Sequence, residues 1–405
     1  MSATLYLTRN GLLEPLGQSQ VFSYLRGLSQ DHSITLITFE KPEDWGDSHR
    51  MALGQAQCEA HGIRWLPQQF RARPKLIAPA LSFFRMTWLA LRMARRGDAD
   101  MIHARSYIPA AVSWAVGRLT GTPFIFDMRA LWPEEMITAG RLRRGSMLHH
   151  ALRRLERLCL RDAAAVVSLT HAAVAHLKRE YPAELEGQRI VVIPTCADLD
   201  RFTPASAKPE APKVHGCIGT LLSGWFRTDW LAAWLSAVAA DDPEARFDIV
   251  TRDDADRVRA ALDPEGALGA RLSIGPRPSE EMPDAVRCHD ISVMFYAGGQ
   301  MSEVGRSPTR LAEVLGCGLP VVANEGVGDV ADIVRQNRVG VIVDGPDPAQ
   351  MRAAFDDLKI LMQDPDLSRR CRTTAQRVFA LSAGTDAYRR VYDAILNSED
   401  GTCAA

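Results

Sequence analysis

The run Ser307-Pro308-Thr309-Arg310-Leu311-Ala312-Glu313, continued by Gly316-Cys317-Gly318-Leu319-Pro320-Val321-Val322-Ala323-Asn324, sets a loop, a cation and a carboxylate at one helix start. It reads as a tight loop, a short helix, a glycine break and a buried strand. The first N–H groups of a helix are unpaired and its peptide dipoles point the same way, so a helix start attracts phosphate. Arg310 adds positive charge for a diphosphate. Glu313, about one turn further on, comes within reach of ribose hydroxyls. Ser307, Pro308, Thr309 and Leu311 complete a surface suited to a nucleoside diphosphate. Pro308 has no N–H, so phosphate contact rests on the neighbouring amides and Arg310.

Other chemistry-bearing residues follow strands in the same way. Asn10-Gly11-Leu12-Leu13-Glu14-Pro15-Leu16-Gly17-Gln18-Ser19 leaves the first strand and enters a helix. Gly11 and Gly17 permit close backbone approach, so Gly11, Gly17 and Gln18 form either a substrate-touching loop or an ordinary turn. Neither this loop nor Gly216-Cys217-Ile218-Gly219-Thr220-Leu221-Leu222-Ser223-Gly224 has the dinucleotide spacing G-x-G-x-x-G. Phe126-Asp127-Met128-Arg129-Ala130-Leu131-Trp132-Pro133-Glu134-Glu135 brings carboxylates, an arginine and an aromatic plate to one loop. That set suits a sugar, with Asp127, Arg129 and Glu134 on hydroxyls and Trp132 on an apolar face; the alternative is a salt-bridged loop with Trp132 in the core. His103 ends another strand, as a cleft residue or a structural histidine. Arg277, in a turn before a helix, is read as facing the diphosphate or as a surface arginine. Arg227 and Arg252 carry the same two readings. Asp98-Ala99-Asp100 and Asp198-Leu199-Asp200 have no further ligand nearby, and no metal site is expected.

The elements that position these groups alternate in type. Short β-rich runs at Thr4–Leu7, Ser33–Phe39, Met101–His103, Pro123–Phe126, Ala165–Leu169 and Ile190–Ile193 are separated by helical patterns, among them Gln18–Leu28, Ala110–Leu119 and Leu148–Leu160. A second series runs through Val214–Gly219, Phe247–Thr251, Ile291–Phe295, Leu319–Ala323 and Gly340–Val343, with helical patterns at Met351–Met362 and Asp386–Leu396. Such alternation predicts βαβ units and parallel sheets. Pro194, Pro204, Pro209 and Pro212, with Ser206 and Lys208, read as a linker. The expected division is 1–205, 206–380 and a helical tail, 381–405. In parallel sheets ligands bind beyond the carboxyl ends of the strands, so a cleft between two such domains is the expected site.

At 405 residues, with 46% hydrophobic and 24% charged residues, the composition is that of a folded protein large enough for two cores. Charge is uneven: residues 1–205 carry 26 Lys and Arg against 19 Asp and Glu, and the remainder is net acidic. The eight cysteines show no C-x-x-C pair and no zinc spacing, which argues against a disulfide framework or a structural metal. The N-terminus has no basic leader followed by an apolar core. Apolar stretches such as Leu76–Phe84 are far shorter than the ~20 residues of a spanning helix. Ala60–Gly97 holds no acidic residue, while Arg71, Arg73, Lys75, Arg85, Arg92, Arg95 and Arg96 interleave with Phe84, Trp88 and other apolar side chains. Arg141–Arg161 holds seven arginines and one glutamate. Both segments read as basic amphipathic surfaces for anionic headgroups or as ordinary surface helices. Nucleic acid is not favoured, since no recognition motif appears. The expected location is cytoplasmic, with contact to the inner membrane face as an option.

Taken with Gly11–Ser19, Arg129–Glu134, Asp198-Leu199-Asp200-Arg201-Phe202-Thr203-Pro204 and Gly326-Val327-Gly328-Asp329, the Ser307–Asn324 block resembles the family-4 retaining glycosyltransferases of the GT-B fold. The resemblance spans nearly the whole chain. It implies two Rossmann-like domains, with a nucleotide sugar on the second and an acceptor glycan or lipid-linked acceptor on the first. It implies no metal and no cofactor other than the nucleotide sugar itself. Two glutamates usually frame the family's motif. Glu313 matches the second, on the ribose, while Gly305 stands at the first, so Glu303 or backbone groups must hold the sugar. Gly219 joins the implied donor contacts, and Arg310, Arg277, Asp127 and Arg129 are the implied catalytic charges. A non-catalytic sugar-nucleotide-binding scaffold and a GT-B-like epimerase remain as alternatives.

Overall fold

A computed structural model describes residues 2–71, 77–205 and 213–399. Arg73, Lys75 and Leu76 of the first basic segment, and Ser206, Lys208, Pro209 and Pro212 of the expected linker, lie outside the described residues. The chain forms two compact units: Met1–Pro194 with Leu381–Ala405, and Thr195–Ala380.

The first unit is built on β1 (Ala3–Leu7), β2 (Ser33–Glu40), β3 (Arg64–Gln69), β4 (Met101–Arg105), β5 (Phe124–Asp127), β6 (Ala165–Ser168) and β7 (Ile190–Val192). All pair in parallel in the order β3-β2-β1-β4-β5-β6-β7. β1 is central, with Leu5 paired to Thr35 on one side and Ile102 on the other. Strands covered on both faces need no polar alternation, and Ile34–Glu40 is buried throughout. The helices include α1 (Ile77–Arg96), α2 (Tyr107–Thr120), α3 (Trp132–Thr138) and α4 (Met147–Asp162).

The second unit carries β8 (Val214–Ile218), β9 (Arg246–Val250), β10 (Leu272–Gly275), β11 (Ile291–Met294), β12 (Val321–Asn324) and β13 (Gly340–Val343), again parallel, in the order β10-β9-β8-β11-β12-β13. One core joins Leu311, Val314 and Leu315 of α5 (Thr309–Gly316) to Val321, Leu367 and Phe379. Another gathers Trp234, Phe247, Phe295 and Phe355.

Two features depart from the sequence reading. β3 and β10, both at sheet edges, were not expected. β3 contains Pro67, which an edge strand tolerates and a central one does not. The units divide at Pro194/Thr195, so Asp198–Pro204 belongs to the second unit. The Arg372 guanidinium explains this: it donates to the carbonyls of Leu199 at 2.8 Å, Phe202 at 2.5 Å and Gly316 at 2.8 Å. The last helix, α6 (Leu381–Glu399), packs on Ser23–Leu28 of the first unit, where Arg389 donates to Asp31 at 2.6 Å and to the Gly27 carbonyl at 3.2 Å.

Candidate active site

In the second unit the loop from β11 to α5 is held at both ends. Asn324, last residue of β12, accepts the Tyr296 amide at 2.9 Å and donates to the carbonyls of Tyr296 at 3.0 Å and Glu325 at 2.9 Å. One carboxamide thus ties two neighbouring strand ends. Gly326 sits at φ 82°, and a Cβ there would lie 2.7 Å from the Gly299 amide nitrogen, so only glycine lets these loops meet. The Glu303 carbonyl accepts the Gly328 amide at 2.9 Å. Arg306 pairs with Glu303 at 3.0 Å and stacks 4.4 Å over Trp225.

α5 then begins after Pro308, which closes no side-chain cap. Ser307 Oγ accepts the Thr195 amide at 3.1 Å. Arg310 and Glu313 form an ion pair along the helix. Burial pushes the Glu313 carboxyl up, and Arg310 and Arg201 oppose that push. At 9% exposure, Glu313 keeps a small opening to solvent. Leu311 is 1% exposed and packs in the core, so it anchors the helix rather than facing a ligand. Glu303, read as a stand-in for the absent first glutamate, is fully buried and paired with Arg306; it braces the loop from inside. Gly219 follows β8, its amide donates to the Val250 carbonyl at 3.1 Å, and no described atom lies within 4 Å of a Cβ built there. Arg277 is exposed and donates to its neighbour's carbonyl at Pro276. It follows β10, and β9 and β8 separate that strand from β11.

In the first unit, Glu40 organises the loop after β1. This carboxylate accepts the amides of Leu12 at 2.7 Å and Leu13 at 3.2 Å and the Thr38 hydroxyl at 2.5 Å. Its side chain is completely buried, and burial raises its pKa against the pull of those donors. Gly17 packs so closely that a Cβ would fall 2.0 Å from the Gly11 carbonyl oxygen. Gln18 closes the loop with a 3.0 Å bond to the Leu12 carbonyl, and Glu14 accepts the Gly11 amide at 3.1 Å.

Beneath lies a buried polar network. Asp127 accepts from Tyr388 at 3.2 Å and faces His103 at 3.3 Å, Arg129 at 3.4 Å and Arg105 at 3.7 Å. His103 Nδ1 meets Tyr392 at 2.8 Å. Burial alone would raise the Asp127 carboxyl, but Arg129, His103 and Arg105 more than offset it and hold the group well below the usual carboxylate range. Burial would lower the Arg129 pKa, but Asp127 together with Tyr388, Tyr24 and Tyr6 more than offsets it and raises it. Burial lowers the His103 pKa, although Asp127 opposes it. His103 and Asp127, at 1% and 0% exposure, spend their polar atoms inside the unit, which matches the structural-histidine and salt-bridged alternatives for these two residues. Trp132 is half-buried with its ring 5.6 Å from Tyr107, and Glu134 is buried against Arg144, with one bond at 3.2 Å. Ser106, whose amide donates to the Asp127 carbonyl at 2.8 Å, has φ 75° and ψ 176°. That region is essentially glycine's and is often found at functional sites.

Sequence reasoning missed Glu40, Asn324, Tyr388 and Tyr392. Glu40 and Asn324 had a signal, a polar residue closing an apolar strand. The tyrosines had none, because only the fold brings α6 to β5. Among the described residues no group of three or more His, Cys, Asp or Glu is placed to hold a metal ion.

A family described as a glycosyl transferase 4-like domain matches residues 18–196, and one described as glycosyl transferases group 1 matches residues 212–359. D-inositol 3-phosphate glycosyltransferase of Corynebacterium jeikeium is 25% identical over 323 residues, 73% of this chain and 72% of that one. Sucrose-phosphate synthase of Thermosynechococcus elongatus superposes with a TM-score of 0.72 at 16% identity, covering 98% of this chain and 100% of that one. Anabaena HepE, solved with UDP-glucose, gives 0.66 at 16% identity, covering 97% and 100%. With both domain families matched in order on two Rossmann-like sheets, the chain belongs to the GT-B glycosyltransferases that join a 4-like domain to a group 1 domain.

Proposed function

We propose that this glycosyltransferase takes its sugar from a nucleoside diphosphate sugar, keeps the anomeric configuration, and works without a metal ion. The observation that carries the reading is the start of α5, where Arg310 and the nearly buried Glu313 are paired one turn inside the helix. The amides near Thr309 and the Arg310 guanidinium would meet the pyrophosphate, and Glu313 the ribose. Negative charge gathers on the departing phosphate as the glycosidic C–O bond breaks, and donors fixed at that place lower the barrier. The acceptor oxygen bonds the anomeric carbon from the face the phosphate leaves. Its proton passes to a phosphate oxygen, and a nucleoside diphosphate is released. Gly219, with open space beside it, would border the donor. In the first unit the Gly11–Gln18 loop, Trp132 and Glu134 would border the acceptor.

The acceptor is proposed to be a lipid-linked or surface-polysaccharide glycan. The location is proposed to be the cytoplasm, peripheral to the membrane. No described helix is long and apolar enough to cross a membrane, and the basic segments supply the attraction. HepE was solved with UDP-glucose, which makes that donor the first to try. Pure protein is incubated with radiolabelled nucleotide sugars, with and without membrane extract, in the presence of EDTA. Transfer to the extract with retained configuration supports the proposal. Binding without turnover, or isomerised donor without acceptor, would replace it with a scaffold or an epimerase; abolition by EDTA would remove metal independence.

A further inference from the structure

α1 turns the wrong residues outward. Leu81, Phe84 and Trp88 are 57%, 68% and 57% exposed, while Met86, Ala90 and Met93 face inward. The spacing i, i+3, i+7 puts the three exposed side chains in one stripe. The stripe continues as Arg92 and Arg95, with Arg85 and Arg96 beside it, all exposed, and Arg92 stacks 5.3 Å from the Trp88 ring. At the start of α4, Met147 and Leu148 are 91% and 54% exposed, next to exposed Arg141 and Arg143. Both helices lead into strands, α1 into β4 and α4 into β6, and both pack on α2. They therefore run against the strand direction, and their beginnings lie toward the carboxyl edge of the sheet. The loops after β1 and β5 leave from that edge.

We propose that Leu81, Phe84 and Trp88, with Met147 and Leu148, insert into the interfacial layer of an anionic bilayer, while the flanking arginines hold its headgroups. Charge selects this occupant: Ala60–Gly97 contains no acidic residue, and a cationic rim around an apolar stripe complements an anionic lipid surface. The face borders the loops assigned to the acceptor, so docking would present a lipid-linked acceptor at its headgroup; this last step rests on the proposed function.

The test compares the full-length protein with the variant L81S/F84S/W88S on phosphatidylcholine vesicles with and without phosphatidylglycerol. The wild type should sediment with the anionic vesicles and be released by salt. The triple variant should bind them at least about tenfold more weakly, with an unchanged thermal shift by UDP-glucose. Equal binding by both proteins overturns the proposal, as does a wild type that ignores anionic vesicles. A dimer in light scattering that the triple variant disperses also overturns it, by giving the face to a second copy. Vesicle binding without sugar transfer would instead leave this face assigned and remove the acceptor reading.

Discussion

The Glu40 carboxylate and the Leu12 amide are bonded at 2.7 Å across 28 residues of chain. This contact, with the one to Leu13, fixes the loop that enters the helical stretch beginning at Pro15. A glutamine at 40 keeps the size but must turn an NH2 group toward an amide donor or lose the Thr38 hydroxyl. E40Q is expected to cost roughly 1–3 kcal/mol, the penalty for leaving a buried donor unsatisfied, and to speed hydrogen exchange at Leu12 and Leu13. The pH sign follows from burial, which raises the folded-state pKa. Folding then favours the protonated acid, so this group's contribution to stability declines as pH climbs from the ordinary glutamate value through the raised one. In E40Q that slope should be absent from urea titrations run across the same range.

Asp127 has the opposite sign. Its folded pKa is depressed by Arg129, His103 and Arg105 despite burial. Its contribution to stability is complete above the ordinary aspartate value of about 3.9 and is lost as pH falls below it. D127N leaves Arg129 and Arg105 facing a neutral group in the interior, and removing one partner of a buried pair costs about 3–5 kcal/mol. Y388F removes a single hydroxyl and should cost about 1 kcal/mol. A double-mutant cycle in urea should show coupling between the two, since Tyr388 donates to Asp127 at 3.2 Å. Strictly additive losses would mean that α6 is held by its apolar contacts instead.

The parallel sheets were legible because strands buried on both faces read as continuous apolar runs, as in Ile34–Phe39 and Val321–Ala323. The edge strands β7 and β13 were legible too, but β3 and β10 were not, because β3 carries a proline and β10 breaks its apolar run with the exposed Ser273. At the start of α5 the sequence places Arg310 and Glu313 three positions apart on one helix face, and the fold pairs them there. Asp127 and His103 carried two readings in the sequence for a physical reason. A polar residue at a strand end can face solvent or bond inward, and the choice depends on tyrosines more than 250 residues away in sequence, at 388 and 392. Glu303 likewise turns inward, where its partner Arg306 holds it, and of the two groups left open for the sugar this leaves the backbone.

Ser106 occupies a backbone region that costs a non-glycine residue about 1–3 kcal/mol. S106G should relieve most of this, less the extra freedom that glycine gives the unfolded chain. A net gain of about 1 kcal/mol is expected in thermal or urea unfolding. If the strained loop also positions acceptor groups, the same variant should lose transfer rate while gaining stability. Lower stability would show that the Ser106 side chain contributes more than the strain it carries.

Arg310 and Glu313 test the donor site from two sides. E313Q removes the charge but keeps a hydrogen-bonding group, and E313A removes both; each leaves Arg310 without its ion-pair partner on the helix. Glu313 is nearly buried, but Arg310 is a third exposed and keeps access to water when its partner is gone, so both variants should unfold close to the wild type. Donor affinity should separate them. Losing a ribose contact to a charged acceptor costs about 1.5–3 kcal/mol, which is roughly tenfold to over a hundredfold in Kd for E313A, with E313Q between it and the wild type. R310A should lower kcat more than it raises KM, because its charge matters most as the phosphate departs. Calorimetry with UDP-glucose, or with whichever donor gives a thermal shift, measures the first. Unchanged affinity in E313A would place the nucleotide elsewhere in the second unit.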